Sequence, residues 1–276
     1  MFFTAIKSAS LLPMSKENIT PSASSALPLS LLKRFTEARI AQDRCGISLS
    51  TQEHLRFQYD HAKARCAVHG CVNFASITAY LDSLNLPHVH LTSAVKDRAQ
   101  YLKRPDLGRI LGAASKNDLK AITSLQEFDL SIIIGDGLSA LAIMQNAVPM
   151  LDAILPTILN QWGWHLSPIA LTTQARVAIG DDIASSFKSK MALVFIGERP
   201  GLSSPDSMGM YLTWNPQMGT ADSKRNCISN IRAQGLSYKT AASKLLFLME
   251  QARSRKLSGV ELKDETTETP VLEKVQ

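Results

Sequence analysis

Met191-Ala192-Leu193-Val194-Phe195-Ile196-Gly197-Glu198-Arg199-Pro200-Gly201 opens as an unbroken apolar run and stops abruptly at Gly-Glu-Arg-Pro-Gly. An apolar run of strand length, with no polar residue alternating through it, predicts a strand buried on both faces. The Gly/Pro loop that follows predicts where that strand ends. In parallel α/β sheets the carboxyl ends of the strands carry the ligand sites, because the loops there line the crevice above the sheet. Pro200 fixes its own φ, and the flanking glycines let backbone approach a ligand closely. Glu198 is the acidic group on that strand end, read either as a solvated turn residue or as a ligand contact.

Outward from this stretch the same pattern repeats. Asp129–Ile134 predicts a second buried strand and Pro168–Leu171 another, His88–Ser93 reads as either a strand or an extended connection, and Tyr211–Trp214 as a shorter strand suited to an edge. Helices are predicted between them. Leu31–Ile40 forms the first, closed by Cys45-Gly46, and His54–Val68 the second, capped by the hydroxyls of Ser50-Thr51. Asn73–Leu84 is the third, ended by Pro87. A polar loop at Tyr101–Asp106 leads into a helix that starts at Pro105 and runs to Ala114, with more helix over Leu119–Leu125. Leu138–Trp162 is helical with breaks near Pro149 and Pro156, and another helix is capped at Asp181-Asp182. Ser237–Lys256 is the last, with Ala241, Leu245, Leu248, Met249 and Ala252 on one face.

Strand–helix alternation of this kind defines an α/β chain: a Rossmann-like open, mostly parallel sheet flanked by helices, with an N-terminal helical domain. The expected boundaries are a flexible tail over residues 1–30, the helical domain over 31–100, the Rossmann-like domain over 101–263 and a disordered acidic tail over 264–276. Ser22–Pro28 is Ser/Ala/Pro-rich and reads as linker.

Composition narrows the classes of function. With 276 residues and 45% hydrophobic content the chain can bury a core for one or two domains. Its net charge of +6 comes from dispersed residues, in pairs such as Lys33-Arg34 and Lys103-Arg104. No basic run interleaved with aromatics argues for nucleic acid. No secretory leader and no apolar stretch of membrane-spanning length is read, so no membrane partner is expected. Cys45, Cys66, Cys71 and Cys227 have neither C-x-x-C nor zinc spacing and read as reduced cytosolic thiols.

Individual motifs point in different directions. Gly135-Asp136-Gly137-Leu138-Ser139-Ala140 fits G-x-G-x-x-A after a strand and before a helix. Yet Asp136 places an anion where a pyrophosphate would sit, and Asp152 falls short of the usual ribose-binding position, so a tight strand-to-helix turn is the better reading. His54, His61 and His69 share a helical face but stand two turns apart, too far for one ion. There is no G-x-S-x-G elbow, and Cys227 has no base that sequence identifies.

Five motifs taken together are specific. Arg104-Pro105-Asp106-Leu107-Gly108-Arg109, Gly135-Asp136-Gly137-Leu138-Ser139, Ala175-Arg176-Val177-Ala178-Ile179-Gly180-Asp181, Gly197-Glu198-Arg199-Pro200-Gly201-Leu202 and Arg225-Asn226-Cys227-Ile228-Ser229-Asn230-Ile231-Arg232 occur in order. Over about Leu31 to Lys263 the chain resembles the small (light) subunit family of ethanolamine ammonia-lyase. That resemblance implies an ammonia-lyase subunit in an adenosylcobalamin-dependent complex that converts ethanolamine to acetaldehyde and ammonia by radical chemistry. It implies a large subunit, a TIM barrel, that holds the catalytic residues, and an assembly of six large and six small chains. It places the complex in the cytoplasm or within a bacterial microcompartment.

The resemblance carries the family's cobalamin contacts onto Val177, Glu198 and Cys227, with no catalytic residue and no metal ligand in this chain. Glu198 suits hydrogen bonds from corrin amides, Val177 an apolar wall or main-chain contact, and Cys227 close approach of a bulky ligand. The D-x-H-x-x-G motif, in which histidine replaces the nucleotide base on cobalt, is absent; His61 follows Asp60 directly. Cobalamin is therefore expected base-on. Two rivals stand beside this reading: a stand-alone Rossmann-like nucleotide- or cobalamin-binding module, and a scaffold or shell-associated protein suggested by the N-terminal tail.

Overall fold

The computed structural model describes residues 29–33, 35–122 and 126–266, so the expected tail over 1–28 and the end beyond 266 lie outside the described residues. The helices are α1 (Thr51–His69), α2 (Ala75–Ser83), α3 (Arg98–Lys103), α4 (Ala113–Ile122), α5 (Ala140–Pro156), α6 (Ile179–Ser186) and α7 (Tyr238–Arg255). The strands of the main sheet are β1 (His88–Thr92), β2 (Phe128–Gly135), β3 (Ile169–Thr173), β4 (Ser189–Gly197), β5 (Met208–Trp214) and β6 (Arg225–Ile231). They lie in the order β1-β3-β2-β4-β5-β6. The first four are parallel to one another, and β5 and β6 add an antiparallel flank.

β4 is central because it is apolar on both faces. Met191, Leu193 and Phe195 enter the larger core with α2, α5 and α7, while Ala192, Val194 and Ile196 enter a second core with α4 and α6. Leu193 stands opposite Ile132 of β2 and Leu212 of β5, which fixes the register across the middle of the sheet. A slip of one residue would exchange the two sets of side chains between cores of different shape.

α1 starts at its hydroxyl cap as expected, with Ser50 Oγ accepting from the Glu53 N–H at 3.3 Å. α2 sends Ile77 and Leu81 into the larger core, and β1 pairs with β3, so residues within 31–100 contribute to the main sheet and its packing. α7 carries the predicted stripe, with Ala241, Leu245, Leu248, Met249 and Ala252 all buried.

Several local readings change. The helix expected over Leu31–Ile40 is one short turn, Leu29–Leu32, and Gly46 at φ 63° turns a two-residue hairpin, Arg44–Cys45 with Ser48–Leu49. Tyr101 sits in α3 rather than in a polar loop, because Asp97 caps that helix by accepting from the Gln100 N–H. Pro105 leads into a 3₁₀ turn at Leu107–Arg109, and α4 begins only at Ala113. Pro149 lies inside α5 without ending it, and the backbone loosens into a π turn at Thr157–Gln161 after Pro156.

Ala140–Gln161 is therefore one apolar helix long enough to cross a membrane by length and composition, where the sequence showed only strand-sized runs; half of it is buried in this fold. β5 is interior, not an edge. The edge on this side is β6, whose polar pattern gave no strand signal; β1 is the other edge.

Candidate functional site

The carboxyl ends of β2, β3 and β4 come together at one edge of the sheet, and each is followed by a motif that the sequence singled out. After β2, Gly137 takes φ 59°, and a Cβ there would stand 2.2 Å from the Gly197 carbonyl oxygen. Leu138 N–H donates to that same carbonyl at 2.9 Å. The G-x-G turn is thus packed shut against the end of β4. Asp136 turns inward, is 3% exposed, and accepts from the Ala175 N–H at 3.0 Å. Burial pushes its carboxyl above the usual range, although that amide and the nearby Arg98 pull the other way. A dinucleotide has no open turn to occupy here.

After β3, Gln174 at φ 56° turns the chain into Ala175-Arg176-Val177, which runs straight into α6. Three groups clamp this segment. The fully buried Tyr101 donates its hydroxyl to the Ala175 carbonyl at 2.7 Å, Asp136 holds the Ala175 N–H, and the Arg176 N–H donates to the Gly108 carbonyl at 2.8 Å. The Arg98 and Arg176 guanidiniums stack 4.6 and 4.3 Å from the centre of the Tyr101 ring. Val177 is half-buried against the second core, the cluster that Tyr211 of β5 also packs on.

Glu198 follows β4 directly and is half-buried. Its Oε1 accepts from the Ser229 hydroxyl at 2.5 Å; its Oε2 accepts from the Ser207 hydroxyl at 2.5 Å and the Asn230 N–H at 3.2 Å. A carboxylate has about four acceptor positions, so the one left over is on Oε1. Gly209 of β5 lies beneath the carboxylate with no side chain to displace it.

Tyr211 and Cys227 are register partners on β5 and β6, on the face turned away from the larger core. Cys227 is exposed on that face. Its thiol is nonetheless pushed up, first by desolvation and further by the Glu198 charge, while the Tyr211 hydroxyl bonded to it pulls down. Burial raises Tyr211 strongly, and Cys227 and Glu198 add to the shift.

The structure brings Glu198 and Cys227 together across Tyr211. Val177 joins the same face through α6, which is fastened to β6 by a buried ion pair: Asp181 accepts from both terminal nitrogens of Arg225, at 2.7 Å each. The caps expected at Asp181-Asp182 are first-turn residues instead; Asp182 accepts from the Leu111 N–H at 3.2 Å and contributes no N-cap.

Sequence reasoning left out Ser207, Gly209, Tyr211 and Ser229. Ser229 stood inside the Arg225–Arg232 motif and carried a signal; the others become visible only when β5 is laid beside β4 and β6.

Chemically this is an acceptor shelf. It offers one carboxylate held in place by hydroxyls, a protonated thiol and an apolar shoulder at Val177. The six histidines lie on α1, on β1 and in the turn before β3, not on the elements that carry Val177, Glu198 and Cys227. Among the described residues no group of three or more His, Cys, Asp or Glu gathers as a metal site.

Comparison with known proteins gives a consistent result. The family model of ethanolamine ammonia-lyase light chain matches residues 27–263. The chain is 49% identical over 247 residues to the ethanolamine ammonia-lyase small subunit of Pseudomonas aeruginosa, covering 89% of this chain and 90% of that one. It is 48% identical to the Azotobacter vinelandii small subunit, over 86% and 88% of the two chains. It is 46% identical to the Ralstonia nicotianae small subunit, over 92% and 94%.

Proposed function

The chain belongs to the ethanolamine ammonia-lyase light-chain family, and from that premise we propose that its carboxyl-edge shelf covers adenosylcobalamin at the interface with the large subunit. As a small subunit it has a large-subunit partner within a lyase complex. In our reading the complex holds six large and six small chains and converts ethanolamine to acetaldehyde and ammonia. The catalytic residues are on the large subunit.

The observation that carries this reading is the state of Glu198. A corrin presents amide N–H groups around its rim, and Glu198 presents a fixed carboxylate with an acceptor position to spare. Charge-assisted hydrogen bonds of this kind are stronger than neutral ones. Cys227, small and exposed beside it, lets the ring come close, and Val177 supplies an apolar contact or main-chain groups. When bound, the cofactor supplies the radical chemistry; this chain binds it, orients it and keeps solvent from one side. Within this proposal Glu198 would hold the corrin rim by hydrogen bonds and Val177 and Cys227 would contact it, while the base-on state stays an expectation from the missing D-x-H-x-x-G motif.

Titration of cobalamin into the reconstituted two-chain complex tests the assignment. Glu198→Ala should weaken binding by about 1–3 kcal/mol, because the ligand's buried donors lose their partner. Unchanged affinity would overturn it. Acetaldehyde should form only when both chains are present.

A further inference from the structure

α1 is a long helix that buries very little of itself. Of Thr51–His69 only Ala67 is buried, while Leu55 and Tyr59 are 59% and 65% exposed. Isolated helices of this length are marginal in water, and protein helices are stabilised chiefly by packing an apolar face. Leu55, Tyr59, Ala62 and Cys66 recur at helical spacing and form one stripe. Toward the end of α1 the stripe meets Ala140, Leu141 and Met144 on the first turns of α5. Between them lies an almost wholly apolar groove of about 420 Å³.

The α5 wall of the groove is tied to the loop that leaves Glu198. Ser139, which caps α5, donates its hydroxyl to the Pro205 carbonyl at 2.7 Å, and Asn146 of α5 donates to the Asp206 carbonyl at 2.8 Å. Residues 199–206 form the loop that leaves Glu198 and returns to Ser207, its hydrogen-bond partner. On the other side, Arg98 donates from Nε to the Val68 carbonyl at 2.8 Å and from Nη1 to the Gly137 carbonyl at 2.9 Å, which joins the end of α1 to the strand-end turn. The shelf and the groove lie on opposite faces of the sheet and meet at its carboxyl edge, so a partner that wraps this edge reaches both.

We infer that the Leu55–Tyr59–Ala62–Cys66 stripe and the groove it forms with α5 are where the large subunit docks, inserting apolar side chains between the two helices. The inference rests on the small-subunit reading and adds the surface through which that subunit is joined. It also accounts for a long helix that is left uncovered in the single chain.

Cys66 reports on this surface directly. In the full-length chain its thiol should react with a maleimide, read by mass spectrometry of the Cys66 peptide, and binding of the large subunit should protect it. Tyr59→Glu and Ala62→Glu, both with an unchanged melting temperature, should each weaken large-subunit binding at least tenfold. Val260→Glu, at another exposed apolar residue, should leave binding unchanged.

Equal binding by both groove variants, with Cys66 still labelled in the complex, would overturn the inference. So would protection of Cys66 in the free chain that is lost on deleting residues 1–28, since the chain's own N-terminal segment would then fill the groove. Protection that rises with the concentration of the free chain would assign the groove to a second copy, with the same consequence. If the wild-type chain does not bind the large subunit at all, the small-subunit reading itself fails.

Discussion

Gly209 makes room for Glu198: a Cβ at Gly209 would stand 2.8 Å from Glu198 Oε1 and 3.3 Å from its Cγ. The carboxylate can lie flat on β5 between Ser207 and Ser229 only because that position has no side chain. Gly209→Ala should therefore push the end of a flexible side chain aside without moving backbone. We expect a stability loss below about 1 kcal/mol, in line with substitutions that disturb no core contact. Cobalamin affinity should fall by about 1–2 kcal/mol, the scale of a displaced hydrogen-bond acceptor. Denaturant melts and cobalamin titration of the two-chain complex measure the two effects separately.

The thiol of Cys227 provides a pH test of the same geometry. Desolvation and the Glu198 charge both disfavour the thiolate, so its pKa lies above that of an ordinary cysteine. Alkylation, which needs the thiolate, should keep accelerating above about pH 8.5, where a free cysteine is already half ionised. Glu198→Gln removes the charge that adds to desolvation and should move the midpoint of the rate profile down. A profile that does not move would mean that Glu198 and Cys227 are not neighbours. Iodoacetamide kinetics read on the Cys227 peptide decide it.

Tyr101 holds the loop that carries Val177, through its hydroxyl on the Ala175 carbonyl. Tyr101→Phe keeps the ring between Arg98 and Arg176 but leaves that carbonyl without its partner. The expected cost is about 1–2 kcal/mol of stability. Amide exchange should quicken at residues 174–178 before it quickens in β4. If exchange rises uniformly, the tyrosine supports the fold in general and not this loop.

The sheet was legible where burial is apolar and obscure where it is polar. β4 could be read directly, since every residue from Met191 to Ile196 enters a core. β6 could not, because Arg225 is buried by pairing with Asp181 rather than by being apolar, and Ser229 and Asn230 are spent on Glu198. Tyr101 read as a loop residue beside Lys103 and Arg104, whereas two arginines stacked on its ring are what enclose it. Val177, Glu198 and Cys227 came from resemblance. The supporting Gly209 has no local signature, since its reason is a side chain on the neighbouring strand.

Gly137→Ala tests the closed G-x-G turn. The left-handed backbone is strained for any residue with a Cβ, and this Cβ would overlap the Gly197 carbonyl oxygen at 2.2 Å, backbone that cannot swing away. A loss of more than about 3 kcal/mol is expected, at the severe end for single substitutions. A mild effect, seen in a urea melt, would mean that the turn opens more readily than its packing implies.

Arg225 and Asp181 set the distance between the helix that follows Val177 and the strand that bears Cys227. Both side chains are almost fully buried, and they meet through two hydrogen bonds of 2.7 Å. Arg225→Met should cost about 3–5 kcal/mol, because it leaves a carboxylate buried without its partner. The variant should also change its response to pH. Burial already pushes the Asp181 carboxyl up, and Arg225 is the group that pulls it back. Without the arginine the folded chain would hold a proton on Asp181 that the unfolded chain releases at lower pH. Between those two pKa values the native state binds more protons, so stability falls as pH rises and recovers on acidification. The Asp181→Leu, Arg225→Met double variant removes both charges and should regain most of the loss while showing none of that pH dependence. Urea melts of the wild type and the two variants between pH 4 and pH 8, values chosen to run upward from the ordinary carboxylate range of about 4, separate a paired charge from mere packing: a single variant as stable as the double one would show that the pair does not hold helix to strand.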